Sequence, residues 1–157
     1  MGPVLTTGYL LTHTATIIMR QSDQVLQERL GIGMSQFRLL LILQKTPHVQ
    51  QRTLAERLGQ TEASVSRQIK LLCEKGLLAI RVNPKSRREH ITIPTAKGVK
   101  ITEAAMDVLT QYHAPMFDTL TDKQRQLLNE ALATLHEYTC APGRPFACDH
   151  SFSTVTT

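Results

Sequence analysis

The residues richest in chemistry lie between Arg52 and Leu72, in RTLAERLGQTEASVSRQIKLL. Ser64, Ser66, Arg67 and Gln68 crowd into five positions there. Serine and glutamine both donate and accept hydrogen bonds, and arginine presents a planar fork of donors. Ala63 is small enough to allow close approach. Thr61 precedes this group and Lys70 follows it. Small residues, two-way hydrogen-bonding groups and cations on one helical face suit the base edges and phosphates of a DNA groove, with Arg67 able to fork onto a guanine or a phosphate. The plainer alternative is an amphipathic helix whose outer face is polar only because it is wet. Short motifs do not separate the two by themselves, so the flanking segments decide.

The positioning elements are legible around these residues. Val65, Ile69 and Leu72 recur at i, i+4 and i+7, which predicts the buried stripe of a helix from Glu62 to about Lys75. Thr61 is its expected N-cap, and Glu62 suits the positive end of the helix dipole. Gln51 to Leu58 forms a shorter helix with Leu54, Ala55 and Leu58 on its inner side. Gly59 stops that helix and Gln60 fills the turn. The pair is a helix-turn-helix.

After Gly76 the apolar period changes from helical to twofold. Leu78, Ile80 and Val82 alternate with Ala79 and Arg81, and Ile91 and Ile93 alternate with His90 and Thr92. Asn83-Pro84-Lys85-Ser86 is a turn between two strands. The hairpin tip holds Lys85, Arg87 and Arg88, cations suited to phosphates or a minor groove. A merely solvated turn is the competing reading, and the position directly behind a helix-turn-helix argues against it.

Thr7 to Leu30 has few breakers and carries Leu10, Leu11, Ile17, Ile18, Val25, Leu26 and Leu30 at helical spacing. So long a helix needs more burial than a small domain supplies, which points to a partner helix in a homodimer. Ser35 is the expected cap of a helix from Gln36 to about Lys45, with Phe37, Leu40, Leu41 and Leu43 apolar. Thr95 should cap a helix reaching about His113, with Pro115 near its end. Thr121-Asp122-Lys123-Gln124 is a capping box that opens a last helix through Tyr138. The remaining tail is small and polar. The predicted fold class is mainly α (α+β).

The chain of 157 residues suffices for one core, and its net charge of +5 is compatible with a polyanionic partner. No apolar run reaches the roughly 18–20 residues of a membrane span. The N-terminus lacks a secretory pattern, and three cysteines fit a reducing compartment, so a cytoplasmic location is expected.

Taken together, LGIGMSQFRLLLIL (30–43), LAERLGQTEASVSRQIKLLCEKGLL (54–78) and RVNPKSRREHITIPTAKG (81–98) resemble the MarR (multiple antibiotic resistance regulator) family of winged helix-turn-helix transcription regulators. The resemblance spans about Leu10 to Tyr138. It implies a homodimer with an N-terminal dimerisation helix (1–34), a winged DNA-binding domain (35–94), C-terminal dimerisation helices (95–139) and a tail (140–157). It also implies a pseudo-palindromic operator on double-stranded DNA, with the helix from Glu62 in the major groove and the wing in the minor groove. Members usually act as repressors, and many release DNA on binding a small amphipathic ligand or on cysteine oxidation. The family often carries Asp-x-Arg at the wing. Here the triplet is Ser86-Arg87-Arg88, so the carboxylate that would hold the arginine is missing, and a looser free wing is expected.

An effector pocket is expected where the first, second and Thr95 helices meet, with His13, Phe37, Arg38 and Met106 as candidates. Oxidation sensing by Cys140 and Cys148 is an alternative, while Cys73 reads as a packed residue. His136, Cys140, Cys148 and His150 have zinc-compatible types, but their spacing is no standard finger. No phosphate loop, HExxH or GxSxG is present, so neither an enzyme nor a cofactor is indicated. A winged helix that docks protein and no DNA is the rival class, and the cluster of cations argues against it.

Overall fold

A computed structural model describes residues 2–46, 48–83, 86–141 and 143, with backbone alone for residues 86–90. The chain order is α1 (Pro3–Leu30), α2 (Met34–Lys45), α3 (Gln51–Leu58), α4 (Glu62–Glu74), β1 (Leu78–Asn83), β2 (Ser86–Pro94), α5 (Ala96–Phe117) and α6 (Asp122–Thr139). This is the expected helix, helix, helix-turn-helix, hairpin, helix, helix order.

The core gathers around α2. Phe37, Leu39, Leu40, Ile42 and Leu43 are all buried, so this helix is enclosed on nearly every side rather than along one stripe. Leu26 of α1, Leu54 and Leu58 of α3, the Val65–Ile69–Leu72 stripe of α4 and Ala105 of α5 close on it. Each fully buried leucine contributes about 2 kcal/mol of hydrophobic stabilisation.

Helix boundaries differ from expectation at three points. α1 starts at Pro3, four residues before Thr7, because proline at the first helical position lacks only an N–H that would be unpaired anyway. α2 starts at Met34 with Gly33 as its N-cap, so Ser35 is inside the helix. The Met34 N–H donates instead to Asp23 Oδ1 of α1 at 2.7 Å, and the Gly33 N–H donates to Gln36 Oε1 at 3.3 Å. A carboxylate from a neighbouring helix thus does the work of a local cap. α5 runs through Pro115 to Phe117, and the Asp118 N–H still reaches Ala114 O at 2.9 Å. Proline there removes one helical bond without ending the helix.

The junction between α4, the hairpin and α5 is tightly made. Gly76 has φ +70°, the Leu77 N–H donates to Leu72 O at 2.8 Å, and the Gly76 N–H to Cys73 O at 2.9 Å. This is a Schellman motif, and its two flanking leucines, Leu72 and Leu77, are buried against the core. Thr95 donates its hydroxyl to Gly76 O at 2.7 Å and caps α5 by accepting from the Gly98 N–H at 3.0 Å. The hairpin is antiparallel, pairing Leu78 with Pro94 and Val82 with His90, with an irregularity between Val82 and Asn83. Its predicted inner face is only partly buried. Leu78 is inside, but Ile80 is 58% and Val82 51% exposed, because the hairpin projects away from the helices beyond its first pair.

The N-terminal half of α1 and all of α6 present apolar side chains to solvent. α6 buries none of its residues, although its Thr121 capping box forms as expected. Among the described residues no helix is long and apolar enough to cross a membrane.

Candidate nucleic-acid interface

α4 is held from behind and open in front. Val65 and Leu72 are fully buried and Ile69 nearly so, while the Thr61 hydroxyl accepts from the Ser64 N–H at 3.2 Å and fixes the helix start. Thr61, Ala63, Ser66, Arg67 and Lys70 are exposed on the opposite side. Five of the expected groove-facing residues are therefore brought together on one surface. Leu71, which the sequence did not single out, joins them as an exposed apolar side chain.

Ser64 and Gln68 depart from the expected exposed face. Both are half-buried, at the edge where α4 meets the turn and α2. Ser35 Oγ donates to Gln68 Oε1 at 3.1 Å, Gln68 Nε2 donates to Gln60 Oε1 at 2.7 Å, and Gln60 Nε2 donates to Ser35 Oγ. Three side chains from α2, the turn and α4 thus close a ring in which each is donor to the next. Gln68 Nε2 also approaches Ser64 Oγ at 3.4 Å. Gln68 is consumed by this ring because it faces the turn rather than the open side. Ser35 and Gln60 are the residues that sequence reasoning missed. Ser35 lies 33 positions from Gln68, so no local spacing signalled the contact.

The backbone of Arg87 and Arg88 lies in β2, as expected for the wing. Their side chains, and Lys85 altogether, lie outside the described residues.

The four ligand candidates do not form one site. Phe37 is buried in the core. Arg38 lines a groove of about 410 Å³ with Met19, Arg20, Asp23, Met34, Ser35 and Gln60. His13 lines a second one of about 520 Å³ between α1 and α5, shared with Tyr112, His113 and Met116. Met106 is an exposed residue of α5 that lines neither of these. The helices meet as expected, but their junction is filled by leucines, so the open spaces lie to either side. His113 is half-buried, with its Nε2 2.8 Å from the hydroxyl of buried Ser22.

Cys73 is half-buried against the core, and burial followed by the neighbouring Glu74 carboxylate pushes its thiol pKa up. The thiolate needed for oxidation chemistry is therefore disfavoured. Cys140 is half-buried at the end of α6, where its N–H donates to His136 O at 2.8 Å. Cys148 and His150 lie outside the described residues. Among the described residues no three His, Cys, Asp or Glu side chains group as metal ligands.

Comparison with known proteins agrees with this architecture. Residues 30–89 match the family model described as the MarR family. A region of 105 residues is 26% identical to an uncharacterized HTH-type transcriptional regulator, YdgJ, of Bacillus subtilis, covering 67% of this chain and 64% of that protein. The chain thus spans just under two thirds of that relative's length. The crystal structure of apo MarR from E. coli superposes with a TM-score of 0.72 at 22% identity, over 82% of this chain and 95% of that one. The helix-turn-helix region is thus similar to the MarR family. CouR from Rhodococcus jostii RHA1, crystallised with p-coumaroyl-CoA, gives a TM-score of 0.71 at 20% identity, over 86% of this chain and 92% of CouR. The fold is therefore a winged helix, with α3 and α4 as its helix-turn-helix and β1–β2 as its wing.

Proposed function

We propose that this protein is a MarR-family regulator that works as a homodimer on a pseudo-palindromic DNA operator, represses transcription there, and is released by a small molecule. The observation that carries the DNA reading is the one-sided build of α4. Its back is locked into the core and the Ser35–Gln60–Gln68 ring, and its front offers Thr61, Ala63, Ser66, Arg67 and Lys70 together. In this reading Ser66 and Arg67 read base edges, and Thr61, Lys70 and the wing cations Lys85, Arg87 and Arg88 hold phosphates or the minor groove. Ser64 sits at the rim, and Gln68 sets the pose of the helix.

The dimer reading is supported by the bare apolar faces of α1 and α6. Leu128, Leu132 and Leu135 recur at i, i+4 and i+7, and none of them is buried among the described residues. A twofold dimer places two copies of α4 one helical turn of DNA apart, about 10 base pairs between half-site centres. The ligand reading is supported by the open grooves flanking the α1–α2–α5 junction and by the acyl-CoA bound to CouR.

Fluorescence anisotropy on the gene's own upstream DNA tests the proposal. Tight binding to one inverted repeat is expected, with log K falling against log salt at a slope of roughly −5 to −9. A flat salt dependence overturns it.

A further inference from the structure

We propose that Lys75 is a positioning residue whose ammonium fixes the angle between α4 and α1, and with it the spacing of the two α4 copies in the homodimer. This rests on the DNA-reading dimer proposed above and adds the residue that ties the reading helix to the dimerisation region.

Lys75 is the C-cap of α4. Its side chain crosses to the end of α1, where Nζ donates to Gly31 O at 2.6 Å. Gly31 is itself the C-cap of α1, with φ +67°, and its N–H donates to Gln27 O at 3.1 Å. The next residue, Ile32, is buried in the core, so the accepting carbonyl is held in place from within. The ammonium therefore lies at the negative end of the α1 dipole, where a cation is favoured. The two residues are 44 positions apart, so the bond joins separate elements. Among the described residues α1 and α4 share little packing of their own, so the bond does not duplicate an apolar contact.

The end of α4 is held in the same way from α5. Its last turn carries Glu74 and no basic residue, the wrong sign of charge for a helix C-terminus. Lys97 of α5 offsets this by donating Nζ to Lys75 O at 2.9 Å. Lys75 thus accepts from α5 through its carbonyl and donates to α1 through its side chain. α1 and α5 pack on each other, so both ties lead to one helical pair. The start of α4 is tied to α2 by the Ser35–Gln60–Gln68 ring. Directional bonds therefore hold α4 at each end, with the Val65–Ile69–Leu72 stripe packed between them. Without the Lys75 bond, α4 can swing about its start and carry Ser66 and Arg67 sideways along the DNA. Twofold symmetry doubles any such swing between the two copies.

Lys75→Met keeps an unbranched apolar stem and removes the donor, and Lys75→Arg keeps a donor. Gly31-Ile32 is the only Gly-Ile pair in the sequence, so full-length protein labelled with 13C-carbonyl glycine and 15N isoleucine gives a single carbonyl–amide signal for the accepting group. That signal should move in Lys75→Met and return toward the parent's in Lys75→Arg. Residual dipolar couplings should show a changed orientation of α4 relative to α1 in Lys75→Met. On DNA, the parent should discriminate against operators with one base pair added or removed between half-sites. Lys75→Met should lose about threefold of that discrimination, the scale of one exposed charged bond. Its affinity for a single half-site should stay within about twofold of the parent's, because α4 keeps its reading face. A role in stability alone would weaken whole operator and half-site together and leave the spacing preference intact. Any of four results overturns the proposal: an unmoved Gly31 signal, unchanged α1–α4 couplings, a retained spacing preference in Lys75→Met, or no recovery in Lys75→Arg. A parent that binds no operator defeats the functional reading, while the carbonyl signal and the couplings still decide whether Lys75 sets the angle.

Discussion

Gln68 on α4 and Gln60 in the turn before it face each other with Nε2 donating to Oε1 at 2.7 Å. The contact spans the helix-turn-helix and, through Ser35, reaches α2. The pose of α4 is therefore set by polar groups as well as by the Val65–Ile69–Leu72 stripe. Apolar packing tolerates small rotations, whereas a closed ring of directional bonds does not.

Gln60→Ala removes two of the three bonds in that ring. It should lower unfolding free energy by about 1–3 kcal/mol, since half-buried Ser35 and Gln68 lose partners. Chemical denaturation of the purified protein measures this. Gln60→Glu is the informative companion, because it keeps an acceptor for Gln68 but cannot donate to Ser35.

A second prediction concerns the base of the wing. A Cβ built on Gly98 falls 2.0 Å from Leu77 O, inside contact distance of backbone that is itself bonded to the Thr95 N–H. Neither partner is a flexible side-chain end. Gly98→Ala should cost about 3 kcal/mol or more by overpacking, despite alanine's better helix propensity. A thermal melt no lower than the parent's would remove the close approach from consideration.

The contrast between these two residues explains how much of the molecule was readable beforehand. Period-3.6 and period-2 apolar patterns are local, so every element, the Thr61 and Thr95 caps and the Thr121 capping box were visible in the sequence. The exposed members of α4 followed from the same helical geometry. Gln60, Gln68 and Ser35 carry no such pattern, because their meeting depends on how α2 crosses the turn. Asp23 capping α2 from α1 was illegible for the same reason, and Ser35 looked like the cap instead. Ile80 and Val82 misled differently. Alternation identifies a strand but does not say how far a hairpin extends beyond the body that covers it.

Cys73 offers a check on the redox alternative. Its thiol pKa is raised by burial and by Glu74, so the neutral thiol persists as pH climbs past the ordinary value of 9.0. The sign is that of an acid whose charged form is disfavoured by folding. The unfolded chain loses the proton first, and this site's contribution to stability declines above that pH. Alkylation by iodoacetamide should therefore be slower for native Cys73 than for the denatured chain at pH 8 to 9. Equal rates would contradict the reading of Cys73 as a packed residue.

The proposed homodimer is tested on α6. Leu132 stands between Leu128 and Leu135 on a helix none of whose residues is buried. Leu132→Glu should leave the monomer fold intact, because no core contact is lost, while placing a charge where a partner helix would pack. Sedimentation equilibrium should move from twice 17.6 kDa for the parent toward a single 17.6 kDa chain, with the far-ultraviolet dichroism of a helical protein retained. A variant that stays dimeric shifts the interface to α1 alone.

The division of labour on DNA makes the last prediction. Arg67 is exposed mid-way along α4 beside Ser66, where a guanidinium can fork onto a guanine, whereas Lys70 lies one turn further on and can reach only as a point charge. Arg67→Ala should cost about 1–3 kcal/mol on the operator and flatten the preference at one base pair per half-site. Lys70→Ala and Arg88→Ala should instead weaken operator and random DNA alike and reduce the salt slope by about one per lost phosphate contact in each subunit. Anisotropy titrations across a set of single-base operator variants, repeated at several salt concentrations, separate the two behaviours. An Arg67→Ala protein with unchanged base preference would make the residue a phosphate anchor. Sequence reading would then fall to the small and hydroxyl side chains nearer the start of α4, Ala63 and Ser66.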